Sequence, residues 1–118
     1  MKVIIAGSRS VTRYAALDAA ILRAYNDKGI TITEIVSGGA QGADRLGEMR
    51  ARDFAIPLKV FRADWKRYGM RAGMLRNQQM AEYADALIAL WDGDSRGTEH
   101  MIKCMEKCGK PVYVYLAK

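Results

Sequence analysis

The sequence predicts an α/β fold: a doubly wound, five-stranded parallel sheet with helices on both faces, in one domain spanning residues 1–118. Three observations carry this. Five short apolar runs alternate with four segments of helical periodicity. The runs are unbroken rather than alternately apolar and polar, as strands buried on both faces require. Polar turns containing glycine follow three of them, at residues 7–10, 37–44 and 92–98. In a parallel sheet such turns share the carboxyl edge, where ligands bind near the reversal of strand order.

Residues 2–6 are the first expected strand. Leu17, Ala20, Ile21, Ala24 and Tyr25 then recur at helical spacing, with Thr12 as N-cap and Lys28-Gly29 as the stop. The β-branched run at 32–36 is the second strand. The next helix carries Ala43, Leu46, Gly47, Ala51 and Phe54 on one face and ends before Pro57. Residues 58–61 form a short third strand. The stretch 64–73, with Trp65, Tyr68 and two glycines, reads as an irregular loop opening a helix near Arg71 that runs to about Tyr83. Residues 85–91 are a strongly apolar strand. After the turn at 92–98 a helix buries Met101, Ile102 and Met105 and stops at Gly109-Lys110-Pro111, leaving 112–116 as the last strand.

A hydrophobic fraction of 50% and a charged fraction of 27% suit a soluble globular protein. No apolar run is long enough to cross a membrane, and the start reads as a strand rather than a signal peptide, so a cytoplasmic protein is expected. The net charge of +6 suits nucleic acid and an anionic small ligand equally, because the basic residues are spread along the chain. Cys104 and Cys108 share one helix face at a separation too wide for an unstrained disulfide. With His100 the single histidine, a metal site lacks ligands. Free thiols, no metal and no cofactor are expected.

The central turn is Ser37-Gly38-Gly39-Ala40-Gln41-Gly42-Ala43-Asp44. Glycines let the backbone approach a ligand closely, and the helix that follows presents unpaired N–H groups to negative charge. Ser37 offers a hydroxyl, and Gly38, Gly39, Ala40 and Gln41 offer backbone. Asp44 repels phosphate and suits a ribose hydroxyl or the helix N-terminus. A plain strand-to-helix turn, with small residues chosen for packing, is the simpler alternative. Gly7, Ser8 and Arg9 supply donors, a hydroxyl and a guanidinium able to grip phosphate. Neither Gly-x-Gly-x-x-Gly after the first strand nor a Walker A lysine is present, which argues against ordinary dinucleotide and triphosphate sites. Arg76 and Asn77, early in the third helix, can point toward the same edge. Trp65 either stacks on a base or caps the core, the commoner fate. Asp92, Gly93, Gly97 and Thr98 extend the ligand set beyond the fourth strand. Glu99 favours the helix dipole, and a lone histidine is more often structural than catalytic.

These motifs, with Ala63-Asp64-Trp65, Ala72-Gly73, Arg76-Asn77, Met80 and Trp91-Asp92-Gly93 in this order, resemble the SLOG superfamily. That Rossmann-like group includes the DNA-processing protein DprA and the LONELY GUY (LOG) phosphoribohydrolases. The likeness is strongest to its small YspA/YpsA-related branch, often carried by phages and bacteria, and covers nearly the whole chain. It implies a nucleotide or nucleotide-derived ligand held across the three turns. LOG enzymes carry an arginine ahead of Met-Ala-Glu-x-Ala-Asp, then Pro-Gly-Gly-x-Gly-Thr-x-x-Glu. Arg76 fills the arginine slot before Met80-Ala81-Glu82-Tyr83-Ala84-Asp85. Trp91-Asp92-Gly93 replaces Pro-Gly-Gly, and Met101 stands in the catalytic glutamate slot, with Glu99 two positions earlier. N-glycosidic cleavage needs a carboxylate. Methionine supplies none.

Three readings follow. The first is a binder or sensor of a nucleoside monophosphate or an ADP-ribose-like molecule. The second is a LOG-like hydrolase with Arg76 and Glu99 as catalytic candidates and Asp44 or Asp92 as substitutes for the missing acid. The third is a DprA-like DNA-binding module, placed last because single-strand binding uses aromatic platforms and the aromatic content is 8%. Analogy with related folds suggests a homodimer or a higher homo-oligomer.

Overall fold

A computed structural model describes residues 1–117. Its sheet holds β1 (Lys2–Gly7), β2 (Glu34–Ser37), β3 (Leu58–Val60), β4 (Ala86–Trp91) and β5 (Val112–Leu116) in the order β3-β2-β1-β4-β5. Every pairing is parallel. The α/β prediction therefore holds, and the order reverses between β1 and β4, the two central strands.

Alternation along β1 divides the core between two faces. Val3 and Ile5 join Leu17, Ala20 and Ala24 of α1 (Tyr14–Lys28) and Leu46 and Ala51 of α2 (Ala43–Asp53). Ile4 and Ala6 join Met80, Ala81 and Ala84 from and just beyond α4 (Ala72–Tyr83), and Met101 and Met105 of α5 (Arg96–Lys107). Helices thus cover both faces, and Val3 to Ala6 of β1 and Ala86 to Leu90 of β4 lie buried between them. Among the described residues no helix is long and apolar enough to cross a membrane.

The helix stops follow local chemistry. Gly29 closes α1 with a left-handed φ of 66°, and its N–H returns to Tyr25. Thr12 is not the N-cap: α1 starts at Tyr14 after Arg13, which makes no side-chain cap. Val11 is buried, and its N–H donates to the Ser8 carbonyl, so the turn runs on past Thr12. Tyr25 and Phe54 are 57% and 58% exposed, against the expectation that both pack inward. Phe54 stands beyond the last turn of α2, off its buried face, with the Arg50 guanidinium 4.0 Å over its ring. The second strand starts at Glu34 rather than at residue 32.

The stretch after β3 is not a loop. Asp64 accepts the Arg67 N–H at 3.2 Å and caps a single helical turn, α3 (Trp65–Tyr68), which a 3-10 turn (Gly69–Arg71) joins to α4. At the far end of α4, the Lys110 ammonium donates to the carbonyls of Ala81, Glu82 and Ala84 at 2.6, 3.1 and 2.7 Å. A cation there satisfies orphan carbonyls and complements the helix dipole. Lys110→Met, which keeps the stem and removes the charge, should lower stability by about 1–3 kcal/mol. The expected reading is a lower urea midpoint at unchanged m-value.

Candidate functional site

The strand reversal leaves a cavity of about 470 Å³ at the carboxyl edge, between the β1 turn and the starts of α2, α4 and α5. Its wall includes Gly7, Arg9, Ala40, Asp44, Arg76, Asn77, Gly97 and Thr98. The size falls within the usual range for small-ligand sites.

Ser8 organises this end of the sheet from within. It is 1% exposed; its N–H donates to Leu90 O at 2.9 Å, its carbonyl accepts from Val11 and Ala43, and its hydroxyl accepts the Asp92 N–H at 3.0 Å. One buried serine therefore ties the turns after β1 and β4 to the start of α2. Gly42 crosses this node with φ 75°, where a Cβ would stand 2.5 Å from the carbonyl oxygens of Ser8 and Arg9. Only glycine allows that crossing.

The polar floor begins with Asp44, in the first turn of α2 and almost fully buried. Burial pushes its carboxyl up from 3.8 to about 6, against the lowering effects of the Ala40 N–H and the Arg76 charge. Arg76 donates to the Gly38 carbonyl at 2.6 Å and to Asn77 Oδ1 at 3.0 Å, and burial lowers its pKa. A Cβ on Gly38 would lie 2.7 Å from Arg76 Nη1 and 2.8 Å from Asp44 Oδ2. The missing side chain is what lets the two groups converge.

Asn77 carries the network onward. Its amide nitrogen donates to Gly97 O at 3.3 Å and lies 3.1 Å from His100 Nδ1. Burial lowers the His100 pKa, so the ring is neutral at pH 7, and the Asn77 donor assigns its proton to Nε2. Ser95 caps α5, its hydroxyl accepting from the Thr98 N–H at 3.4 Å, while Arg9 and Arg96 stand exposed at the rim. The arrangement brings the capped N-terminus of α5 and two arginines into one lining with a carboxyl, a guanidinium and an amide.

Other predicted site residues do not reach the cavity wall. Ser37 is buried and donates to Glu48 at 2.7 Å while accepting the Gly39 N–H at 3.1 Å, so both residues are engaged inside the turn. Ser8 faces inward, as described, and Gly38 contributes its carbonyl to Arg76. Gln41 is exposed outside the lining. Asp92 folds its own turn: the N–H groups of Asp94 and Ser95 reach its Oδ1 at 2.8 and 2.9 Å and hold its carboxyl below the usual range. Gly93 turns the chain there with φ 91°, away from the lining. Glu99 faces solvent and pairs with Lys103 at 3.5 Å, so it contributes no carboxylate to the cavity. Among the described residues Asp44 is the one acid in the lining.

Sequence reasoning missed part of the wall. Trp65 does not cap the core; it is 57% exposed and lines the cavity with Met70 and Met74. The signal was Asp64, a capping residue three ahead of Arg67, which turns the segment into helix and lifts the indole onto the rim. Arg96, Ser95 and His100 enter because α5 begins earlier than the glycine pattern suggests.

Comparison with known proteins agrees with the motif reading. The YAcAr family, the YspA, cpYpsA-related SLOG family, matches residues 1–68. The chain is also similar to the Gene 61 protein of Mycobacterium phage D29, 39% identical over 84 residues that cover 66% of this chain and 67% of the phage protein. No solved structure matches. Five parallel strands in this order, the glycine turn into α2 and the match over β1 to α3 place the chain in the YspA, cpYpsA-related SLOG family.

Proposed function

We propose that this protein binds a nucleotide or nucleotide-derived ligand in the cavity at the carboxyl edge of its sheet. One observation carries the reading: Arg9, Arg96 and the α5 N-terminus share a cavity with Asp44, Arg76 and Asn77. The first set suits a phosphate. The second offers sugar hydroxyls an acceptor in Asp44 and the Arg76 guanidinium N–H groups that Gly38 and Asn77 leave free, so one cavity holds both chemistries that a nucleotide presents. Family membership supports the same ligand class. Binding without turnover is favoured over hydrolysis. Met101 is buried in the floor at the position of the LOG glutamate, and Glu99 is directed at Lys103.

Native mass spectrometry of the purified protein, with denaturation to release any small molecule, tests this directly. A co-purifying nucleotide, or a melting temperature raised by a nucleoside monophosphate or ADP-ribose, is the expected result. An empty protein indifferent to that panel would sink the proposal. Binding that instead weakens steeply with salt would favour nucleic acid. Release of free base from a nucleotide would overturn binding without turnover. Arg76→Ala should weaken ligand binding at least about tenfold, the loss of a charge-assisted donor pair. Arg76→Lys should restore little of it, since an ammonium cannot bridge Gly38 and Asn77 with one planar fork.

A further inference from the structure

Another part of the cavity lining has a different character. Trp65, Met70 and Met74 are 57%, 93% and 52% exposed, large apolar side chains left in water on one rim. Met80 and Met101, buried at 1% and 2%, continue the apolar surface into the floor. Four of the seven methionines in the chain line this one cavity. The far edge of the indole, Cη2, lies beside Gly73, where any Cβ would stand 3.4 Å from it. Gly73 therefore leaves the indole free to settle against the first turn of α4. Methionine thioethers mould to flat aromatic surfaces and contact them favourably.

The cavity lining thus combines arginines and a helix N-terminus, hydrogen-bonding groups, and an aromatic side chain with polarizable neighbours. An aliphatic anion would leave the central Asp44, Arg76 and Asn77 unmatched. A sugar phosphate would leave the Trp65 wall wet. A nucleotide with its base attached matches all three parts. Building on the nucleotide-binding reading, we propose that Trp65, flanked by Met70 and Met74, is the nucleobase platform, so the site discriminates an intact nucleotide from its sugar phosphate. Stacking on an aromatic side chain is indifferent to which base is presented, because every base has a π-face.

Titration calorimetry with AMP and with ribose 5-phosphate separates this inference from the reading beneath it. The wild type should bind AMP at least about tenfold more tightly than ribose 5-phosphate. Trp65→Ala should remove that gap by weakening AMP alone, and Trp65→Phe should keep most of it. Trp65 lies in a turn with no buried residue, so the alanine variant should fold, and unchanged ribose 5-phosphate affinity verifies it. Equal affinity of the wild type for both probes overturns the platform and leaves the anion site standing. A gap that survives in Trp65→Ala overturns it as well. If neither probe binds the wild type, the nucleotide reading falls and the platform with it.

Discussion

Gly7→Ala should leave little or no folded protein. Gly7 ends β1 and pairs with Leu90 of β4, and an added Cβ would lie 2.0 Å from the Leu90 carbonyl oxygen and 2.9 Å from Ala43 Cβ. The first obstacle is backbone in the most buried strand pair. No rotamer change relieves it. Moving β1 away would break the Ser8–Leu90 hydrogen bond and unseat the serine that ties the three turns together. Overpacking of this kind costs more than about 4 kcal/mol. Set against a whole stability of about 5–15 kcal/mol, that is decisive. Soluble yield and the urea midpoint measure it. A variant that unfolded at the wild-type midpoint would mean the central strands can part at this edge without penalty.

The second large effect is a dependence on pH that runs opposite to the usual one for carboxylates. The folded-state pKa of Asp44 is raised from 3.8 to about 6, first by burial, with Glu48 adding to it. Below pH 4 both folded and unfolded chains hold the proton, and ionisation of Asp44 has no effect on stability. Between pH 4 and pH 6 the folded chain retains a proton that the unfolded chain has lost, so stability falls as pH rises. Above pH 6 the full penalty, on the order of 3 kcal/mol, is in place. Asp44→Asn keeps an oxygen for the Ala40 N–H but cannot ionise. The stability difference between variant and wild type should therefore shift in favour of the variant across that interval and then level off. A constant difference from pH 4 to pH 7 would show that Asp44 titrates at its ordinary value. On the proposed reading the same substitution should weaken nucleotide binding, since Asp44 is the carboxylate acceptor in the cavity lining.

Much of the fold was legible because the strands carry their own signature. Val3 to Ala6 and Ala86 to Leu90 are apolar on both faces, and only a doubly covered parallel sheet asks for that. Gly29 announced its helix end equally well. The misses have a common cause. Tyr25 and Phe54 were assigned inward from periodicity alone, which does not register where a helix stops or how far round its face a residue lies. Ser37, Ser8 and Asp92 are polar residues in glycine turns, and composition cannot tell whether such groups face a ligand or fold the turn itself. Here they fold the turn, because their oxygens accept hydrogen bonds from part-buried backbone N–H groups of the turns themselves. Asp44 was the opposite case. An acid where phosphate is expected looks out of place, and that mismatch marks the one carboxyl that the described residues bring to the cavity.

None of residues 65–71 is buried, whereas the strands beneath the cavity are sealed inside the protein. Those seven residues touch the fold mainly through their two ends, at the Asp64 cap and the start of α4. The rim can therefore be rewritten without disturbing the buried scaffold beneath it. A lineage carrying this domain could reshape the mouth of the cavity by exchanging one short segment, and the same segment is where a protease would cut first.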